Sequence, residues 1–422
     1  MTHMNCNASM MLQEIEEPVR GRLLNIDYDS QDSRQATLTL LSNRQPVQVT
    51  VKEFSKEIAI GDLIEVTRHK TEVLTQNIAK TTNWLTNLND PRRTKGVKVR
   101  RTVEQAVRNF FDSRNFEEVR TPLLVSSPGM EPHIRPFKIE KNDYYLPTSP
   151  EFAMKKLLVG GFERIYQICP AFRCEPHSNT HQSEFTLLEW YRAYAPLEAV
   201  MCDTEQLVEF LAITLNGKPE IKFQDTVVSV KSPWPRLTAR GLFQDYLGID
   251  LVAAKPLDVM RAHCRRLGLS FSDTLQWDDL YFLIWLNFIE PKLPNNQALF
   301  VTDYPASQAA LSKIKTHTDG TQWARRFEFY IHGLELGNAF EELTDPIEQR
   351  ARFVKDMMIR QSTYGETFPA SPIDEEFMNA LNEGMPPASG IAVGIDRLVM
   401  LLADEPQIEF TFLLSNSSPP AV

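Results

Sequence analysis

Phe172-Arg173-Cys174-Glu175, followed by His181-Gln182-Ser183-Glu184-Phe185-Thr186-Leu187-Leu188-Glu189-Trp190-Tyr191, is the stretch on which the reading of this chain turns. An arginine and an acid two apart on a strand project to the same face. There the guanidinium can neutralise a phosphate or a carboxylate, and the acid can accept from an adenine amine or order the arginine. An R-x-E triplet is common, so its weight comes from two further segments. Gly390-Ile391-Ala392-Val393-Gly394-Ile395-Asp396-Arg397-Leu398 is a small-residue strand that lets backbone approach a ligand closely and then presents one arginine. Its plainer reading is a buried strand entering a helix, with Asp396 as a cap and Arg397 as a surface charge. Phe327-Glu328 and Gly333 to Glu342 set acids among apolar residues, where a lone carboxylate is costly unless it meets a cation.

Upstream, Val19 to Trp84 alternates in short segments: Val19 to Leu23, Ala36 to Leu40, Val47 to Val51, Ile60 to Val66, and a β-leaning run from Thr71. Five strands in so short a span predict a small β-barrel of the oligonucleotide/oligosaccharide-binding (OB) type. Base stacking needs aromatic residues, and only Tyr28, Phe54 and Trp84 are on offer. Residues 1–85 also carry nine basic against eleven acidic residues, which favours a protein-docking or residual role over RNA binding. Asn87 to Pro91 reads as a polar linker, giving a barrel domain over 1–88 and a catalytic domain over 89–422. Val99, Val103, Ala106, Val107, Phe110 and Phe111 fall at helical spacing, Asn115 suits a left-handed helix end, and Phe116 to Pro122 reads as a strand. The basic run Arg92, Arg93, Lys95, Lys98, Arg100, Arg101 reads as a solvated helix start or a landing patch for an acidic partner.

The 422 residues allow two or three domains, and 42 % hydrophobic with 24 % charged residues excludes both a disordered tail and a membrane protein. The net charge of −10 argues against a general nucleic-acid binder. Neither G-x-x-x-x-G-K-[ST] nor G-x-G-x-x-G occurs, so a nucleotide must be held by something other than a P-loop or Rossmann turn. Cys6, Cys169, Cys174, Cys202 and Cys264 form no C-x-x-C pair and read as reduced thiols. The start lacks the basic and continuous apolar regions of a secretory signal, so the cytoplasm is the expected location.

Together, the F-R-x-E strand with its downstream E-F-T, the acid-bearing strand and the terminal G-x-D-R resemble motifs 2 and 3 of the class II aminoacyl-tRNA synthetases. The helix over 97–115 plus Pro122 resembles motif 1. Thr148-Ser149-Pro150-Glu151, the run from Lys155 to Phe172, Glu184-Phe185-Thr186 and Glu335 to Glu342 look like the lysyl branch. Within it, Pro305-Ala306-Ser307-Gln308-Ala309, Glu189-Trp190-Tyr191, Gly384-Met385-Pro386 and Ala392 look like the ligase that attaches (R)-β-lysine to translation elongation factor P. Ala392 stands where the synthetase has glycine. The short ligases resemble a bare catalytic domain, so the N-terminal barrel is an addition. Cys174 departs from the usual F-R-N-E, Gln182 from the asparagine after the histidine, and Asn179-Thr180 lies where relatives carry an arginine, so that either His177 or another basic group substitutes or ATP binding is weaker.

The resemblance implies an α+β fold, an antiparallel sheet flanked by helices after a small OB-like barrel, forming a homodimer through motif 1. It also implies activation of (R)-β-lysine or lysine by ATP and Mg²⁺ as an adenylate, followed by transfer to a lysine side chain of elongation factor P. Arg173 would hold the α-phosphate and substrate carboxylate, and Arg397 the γ-phosphate side. Cys174, Glu175, Gln182, Phe185, Glu335, Leu336 and Gly394 complete the ATP site, with Glu328 and Glu335 holding the metal. Ser149, Pro150, Glu151, Asn338 and Ala392 would surround the substrate, with Glu151 taking its nearer amino group and Glu342 with Tyr191 its distal ammonium. No membrane is implied. The alternatives are a lysyl-tRNA synthetase paralogue that charges tRNA and a non-catalytic paralogue that binds or regulates.

Overall fold

The computed structural model describes residues 9–11, 17–32, 34–43, 45–52, 54–55, 57–67, 70–78, 87–368 and 371–414. It divides into two compact units, Met1–Thr94 and Lys95–Val422. The strands of the first are β1 (Ser9–Met11), β2 (Val19–Tyr28), β3 (Ala36–Ser42), β4 (Gln45–Val51), β5 (Leu63–Val66) and β6 (Thr71–Thr75). β2 to β6 pair antiparallel in the order β4-β3-β2-β5-β6, and β1 adds parallel to β4. The expected alternation is what builds this small barrel-like unit: Leu38, Leu40, Val49, Val51, Ile64 and Val66 turn inward with Leu23 into one core. The turn before β5 is tied by the buried Asp62, whose carboxylate accepts from the backbone N–H of Ala59 (2.9 Å) and Asn77 (2.6 Å). Trp84 and Cys6 lie outside the described residues.

The second unit carries β7 (Glu117–Glu118), β8 (Arg164–Phe172), β9 (Glu184–Ala193), β10 (Glu220–Phe223), β11 (Thr226–Ser229) and β12 (Arg236–Thr238). It continues with β13 (Leu299–Pro305), β14 (Ile314–Thr316), β15 (Gln322–Ile331), β16 (Leu334–Glu341) and β17 (Ala388–Gly394). The helices are α1 (Pro91–Asp112), α2 (Glu151–Val159), α3 (Leu197–Asn216), α4 (Ala239–Leu247), α5 (Leu257–Arg266), α6 (Trp277–Ile284), α7 (Pro346–Tyr364), α8 (Glu375–Gly384) and α9 (Ile395–Ala403). A nine-stranded sheet runs β12-β13-β15-β16-β17-β9-β8-β7, with β14 on β15; all its pairings are antiparallel except β12 with β13 and β7 with β8.

One face of the sheet packs on α1, α3 and α9 through Val103, Val107, Phe111, Trp190, Leu207, Phe327, Ile391 and Leu398. The other face is covered at one end by α4, α5 and α6, and at the other by α2, α7 and α8. A cleft remains between those two covers.

Asn115 adopts φ +58 as expected of a left-handed helix end. The strand expected over Phe116 to Pro122 shrinks to two residues, because Phe116 N–H is drawn back to the Phe111 carbonyl and Pro122 has no donor to extend the pairing. The basic run also departs from a purely solvated helix start. Arg100 is largely buried and bonds Asp396, the Thr411 carbonyl (2.9 Å) and the Thr411 hydroxyl (3.1 Å). Cys169, Cys174, Cys202 and Cys264 are free thiols. Among the described residues, no helix is long and apolar enough to cross a membrane.

Candidate active site

Directly opposed residues on neighbouring antiparallel strands share a face, so the sheet register itself assembles the site. One transverse row reads Gln167, Glu189, Ala392, Asn338 and Glu328 across β8, β9, β17, β16 and β15. The adjacent row reads Ile165, Tyr191, Gly390, Phe340 and Arg326. Gly390 is required there by close approach, since a Cβ would lie 2.2 Å from the Tyr191 ring.

Over these rows lies a cavity of about 640 Å³. Ser149, Glu151, Arg173, Glu175, Gln182, Phe185, Glu335, Leu336, Asn338, Ala392, Gly394 and Arg397 all line it. The β8–β9 connection, the two sheet rows and the starts of α2 and α9 therefore converge on one cavity. Pro150, Cys174, Tyr191, Glu328 and Glu342 do not reach its wall.

Arg173 lies over the Phe185 ring, 5.1 Å from guanidinium carbon to centroid, and its Nε is buried without a hydrogen-bond partner. A guanidinium on a cavity wall with an unused donor suits an anion. Arg397 is held open by three acceptors: the Glu335 carbonyl (2.8 Å), the Thr180 carbonyl (3.2 Å) and His181 Nε2 (2.7 Å). Because arginine only donates, His181 Nε2 must be the unprotonated nitrogen, leaving Nδ1–H for the Ser178 hydroxyl at 2.9 Å. Burial, then the Arg397 charge, lowers the His181 pKa and keeps that ring neutral. His181 lines the cavity, as does His133, whereas His177 does not and faces the Ser183 hydroxyl (3.2 Å).

Asp396 is neither a free cap nor a surface group. It is 1 % exposed, accepts from Thr186 N–H (2.7 Å) and pairs with Arg100, so it pins the first turn of α9 and with it Arg397.

The polar floor beyond Ser149 contains three buried acids. Glu189 has both oxygens satisfied, by the Ser149 hydroxyl (2.6 Å) and the Tyr191 hydroxyl (3.1 Å), and burial pushes its pKa up to about 8. Glu151 and Glu342 share the ammonium of Lys155, which lies 2.5 Å from Glu151 Oε1 and 2.6 Å from Glu342 Oε2. Burial pulls the Lys155 pKa down, but the two carboxylates outweigh it and the ammonium is held charged. Lys155 and Glu189 carry no signal of their own in the sequence beyond the i, i+4 spacing from Glu151 and the i, i+2 spacing to Tyr191.

The expected metal pair is not brought together as two free carboxylates. Glu328 is engaged by Arg326, Tyr304 (2.5 Å) and Tyr330 (2.7 Å), so both its oxygens are taken. Among the described residues, no three His, Cys, Asp or Glu side chains gather as a metal site. Glu335 does face the cavity, and burial followed by the nearby Glu328 charge pushes its pKa up to about 8. A carboxyl so raised fits a cation that would restore its charge.

Residues 76–417 match the family described as tRNA synthetases class II (D, K and N). The chain is 38 % identical over 328 residues to a lysine–tRNA ligase of Pelotomaculum thermopropionicum, covering 76 % of this chain and 63 % of that one. It is 36 % identical over 325 residues to a lysine–tRNA ligase of Carboxydothermus hydrogenoformans (76 % and 65 %). A third, from Thermoanaerobacter sp., is 36 % identical over 330 residues (77 % and 64 %). The chain thus spans just under two thirds of the length of these relatives.

Proposed function

The chain belongs to the class II tRNA synthetases of the D, K and N group, and from that premise we propose that it activates a diamino acid, (R)-β-lysine or lysine, with ATP and transfers it to a lysine side chain of translation elongation factor P. The observation that carries the reading is the distribution of charge along one cavity. Arginines 173 and 397 stand at its phosphate end, and acids Glu151 and Glu342 stand at or just behind the other.

In this reading Arg173 binds the α-phosphate and the substrate carboxylate together, which neutralises both and sets the oxygen in line to attack phosphorus. Arg397 stabilises the departing pyrophosphate, with neutral His181 fixing its direction. Phe185 stacks on the base, and Glu175 and Gln182 bond its edge. Glu335, together with the nucleotide's own phosphates, would hold Mg²⁺, an ion that commonly takes one or two carboxylates plus substrate phosphates. When bound, the ion offsets phosphate repulsion. Glu151 accepts from the substrate's nearer ammonium, and Glu342 with the Tyr191 oxygen accepts from the distal one. An uncharged analogue would leave each acid with Lys155 as its cationic partner and its second oxygen unmet. The acceptor amine is a stronger nucleophile than a ribose hydroxyl, so positioning and desolvation suffice for transfer. Homodimerisation through the α1 region belongs to the same proposal.

A second reading, transfer to tRNA, is favoured by the names of the relatives above. The discriminating experiment offers enzyme, ATP and either lysine isomer to elongation factor P or tRNA and weighs the acceptor. A mass gain on tRNA alone overturns the protein-acceptor reading. Absence of ATP–pyrophosphate exchange with both isomers overturns amino-acid activation altogether.

A further inference from the structure

Three acids are buried around the amino-acid end of the cavity, and they are not equivalent. Glu189 spends one oxygen on Ser149 and the other on Tyr191, so neither of its oxygens is without a partner. Glu151 and Glu342 each spend one oxygen on the same internal cation, Lys155, which is 1 % exposed and reaches them from the second turn of α2. Glu342 is fully buried; Lys155 meets its Oε2 as an ion pair, and neither of its oxygens has a hydrogen-bond partner. Glu151 reaches the cavity wall. A single ammonium thus joins the acid at the cavity to the acid behind it and leaves one oxygen of each uncommitted. An unused acceptor on a buried carboxylate is expensive unless something visits it.

We propose that Lys155 is a positioning residue of the amino-acid site, its ammonium clamping Glu151 and Glu342 so that each turns one oxygen toward an ammonium of the substrate. This rests on the reading that those two acids receive a diamino acid. Lys155 itself touches no substrate atom. It sets the charge and direction of the groups that do.

The groups facing the clamp define its pH behaviour. On α2 it meets Glu151; behind β16 it meets Glu342, with Lys313 close by; from β9 it faces Glu189 and Tyr191; and Glu131 adds negative charge beside Glu151. Of these, the nearest cation is Lys155. Even beside it burial raises both acids, Glu342 to about 8; without it mutual repulsion raises them further, and a protonated carboxyl is a poor partner for an ammonium.

The test is the steady-state ATP–pyrophosphate exchange of full-length wild type, Lys155→Met and Lys155→Arg from pH 6.5 to 9.5, with both lysine isomers. Lys155→Met is expected to raise the amino-acid KM about 100-fold at pH 7, the scale of a lost buried charge contact. The KM for ATP should stay within about twofold. The defect should shrink at least about fivefold by pH 9, as the acids ionise without their cation. Lys155→Arg keeps the charge and should keep the wild-type pH profile whatever its absolute KM. A pH-independent defect, an equal rise in the ATP KM, or no defect overturns the inference. Wild type inactive with both isomers overturns the functional reading, and the inference falls with it.

If the variants do not fold, ¹⁵N-lysine-labelled wild type carries the test. The slowly exchanging ammonium of a buried lysine should persist to pH 9 and shift on adding the amino acid but not ATP. No such shift, or an equal one with ATP, overturns the clamp.

Discussion

Asp396→Asn is expected to cost about 3 kcal/mol of folding stability and to weaken catalysis without touching a ligand-binding side chain. Asp396 is 1 % exposed and joins three segments distant in sequence: Arg100 on α1, the Thr186 backbone on β9 and the first turn of α9. Breaking a buried ion pair from one side costs ~3–5 kcal/mol because the surviving charge is stranded. The low end applies, because asparagine retains one acceptor oxygen and Arg100 keeps its two contacts with Thr411. At ~2 °C per kcal/mol for a unit of this size, the melting temperature should fall by ~6 °C. Arg397 follows Asp396 directly, so loosening the turn should misplace its guanidinium and lower the rate of pyrophosphate exchange ~10–100-fold, with the amino-acid KM little changed. Scanning calorimetry and exchange kinetics measure the two effects. The double variant Arg100→Leu, Asp396→Leu removes both charges and should recover part of the loss, a coupling that a thermodynamic cycle isolates. A melting temperature within 1 °C of wild type, or a double variant as unstable as the sum of the single ones, would refute the pairing argument.

Arg173→Ala should abolish adenylate formation with any amino acid, whereas Glu342→Gln should fall mainly on those bearing a distal amine; equal loss across amino acids in exchange assays would remove Glu342 from the proposed substrate site. Deleting residues 1–88 keeps α1 entire and should leave pyrophosphate exchange nearly intact, so a folded truncated protein that cannot activate lysine would place the first unit in the chemistry. Ala392→Gly removes a methyl from the cavity wall in the row of Glu189 and Asn338. It should shift the ratio of kcat/KM for α-lysine over (R)-β-lysine upward by ~10–200-fold, and an unchanged ratio would make Ala392 a packing residue only. Glu189 titrates near 8 in the folded chain because it is buried, above its ordinary range, so the folded state holds a proton there that the unfolded state has released. Stability at this group is therefore full at low pH and lost as pH rises toward 8; Glu189→Gln should flatten that part of the pH–stability curve of the ligand-free protein.

The period-two alternation of the first unit was legible because each strand there has one face in a core, so burial writes itself directly into the order of residues. The same rule gives half of the catalytic floor. Glu189 with Tyr191, and Gly390 with Ala392 and Gly394, must share faces on any strand that contains them. The other half, that Glu189 lies opposite Ala392 and Ala392 opposite Asn338, is a matter of register between strands separated by up to two hundred residues, and no local pattern encodes it. Family resemblance put Asn338 and Ala392 around the substrate but did not set Glu189 beside them. Lys155 and Arg100 escaped for a related reason. A cation in an amphipathic helix reads as solvated by default, and it is the distant acid, Glu342 or Asp396, that reverses that default.

Both of those pairs serve the same geometric end. The sheet has room for a ligand only where two helical covers stop short of each other, and along that gap the floor carries acids at one end and arginines at the other. Such a floor is unstable to its own charge: burial drives Glu189, Glu335 and Glu342 all toward protonation, with pKa values about 8. Internal cations offset this in part. Lys155 pairs with the amino-acid acids, Arg326 on the cavity wall pairs with Glu328, and Arg100 pairs with Asp396. Glu335 has no comparable salt bridge among the described residues and faces the cavity instead. The charge left uncompensated inside the fold therefore marks where the missing positive groups should enter. On the proposed reading, the ammonium groups of a diamino acid at one end and a divalent cation at the other would offset the charge of Glu151, Glu342 and Glu335, while Glu189 is held by Ser149 and Tyr191 instead.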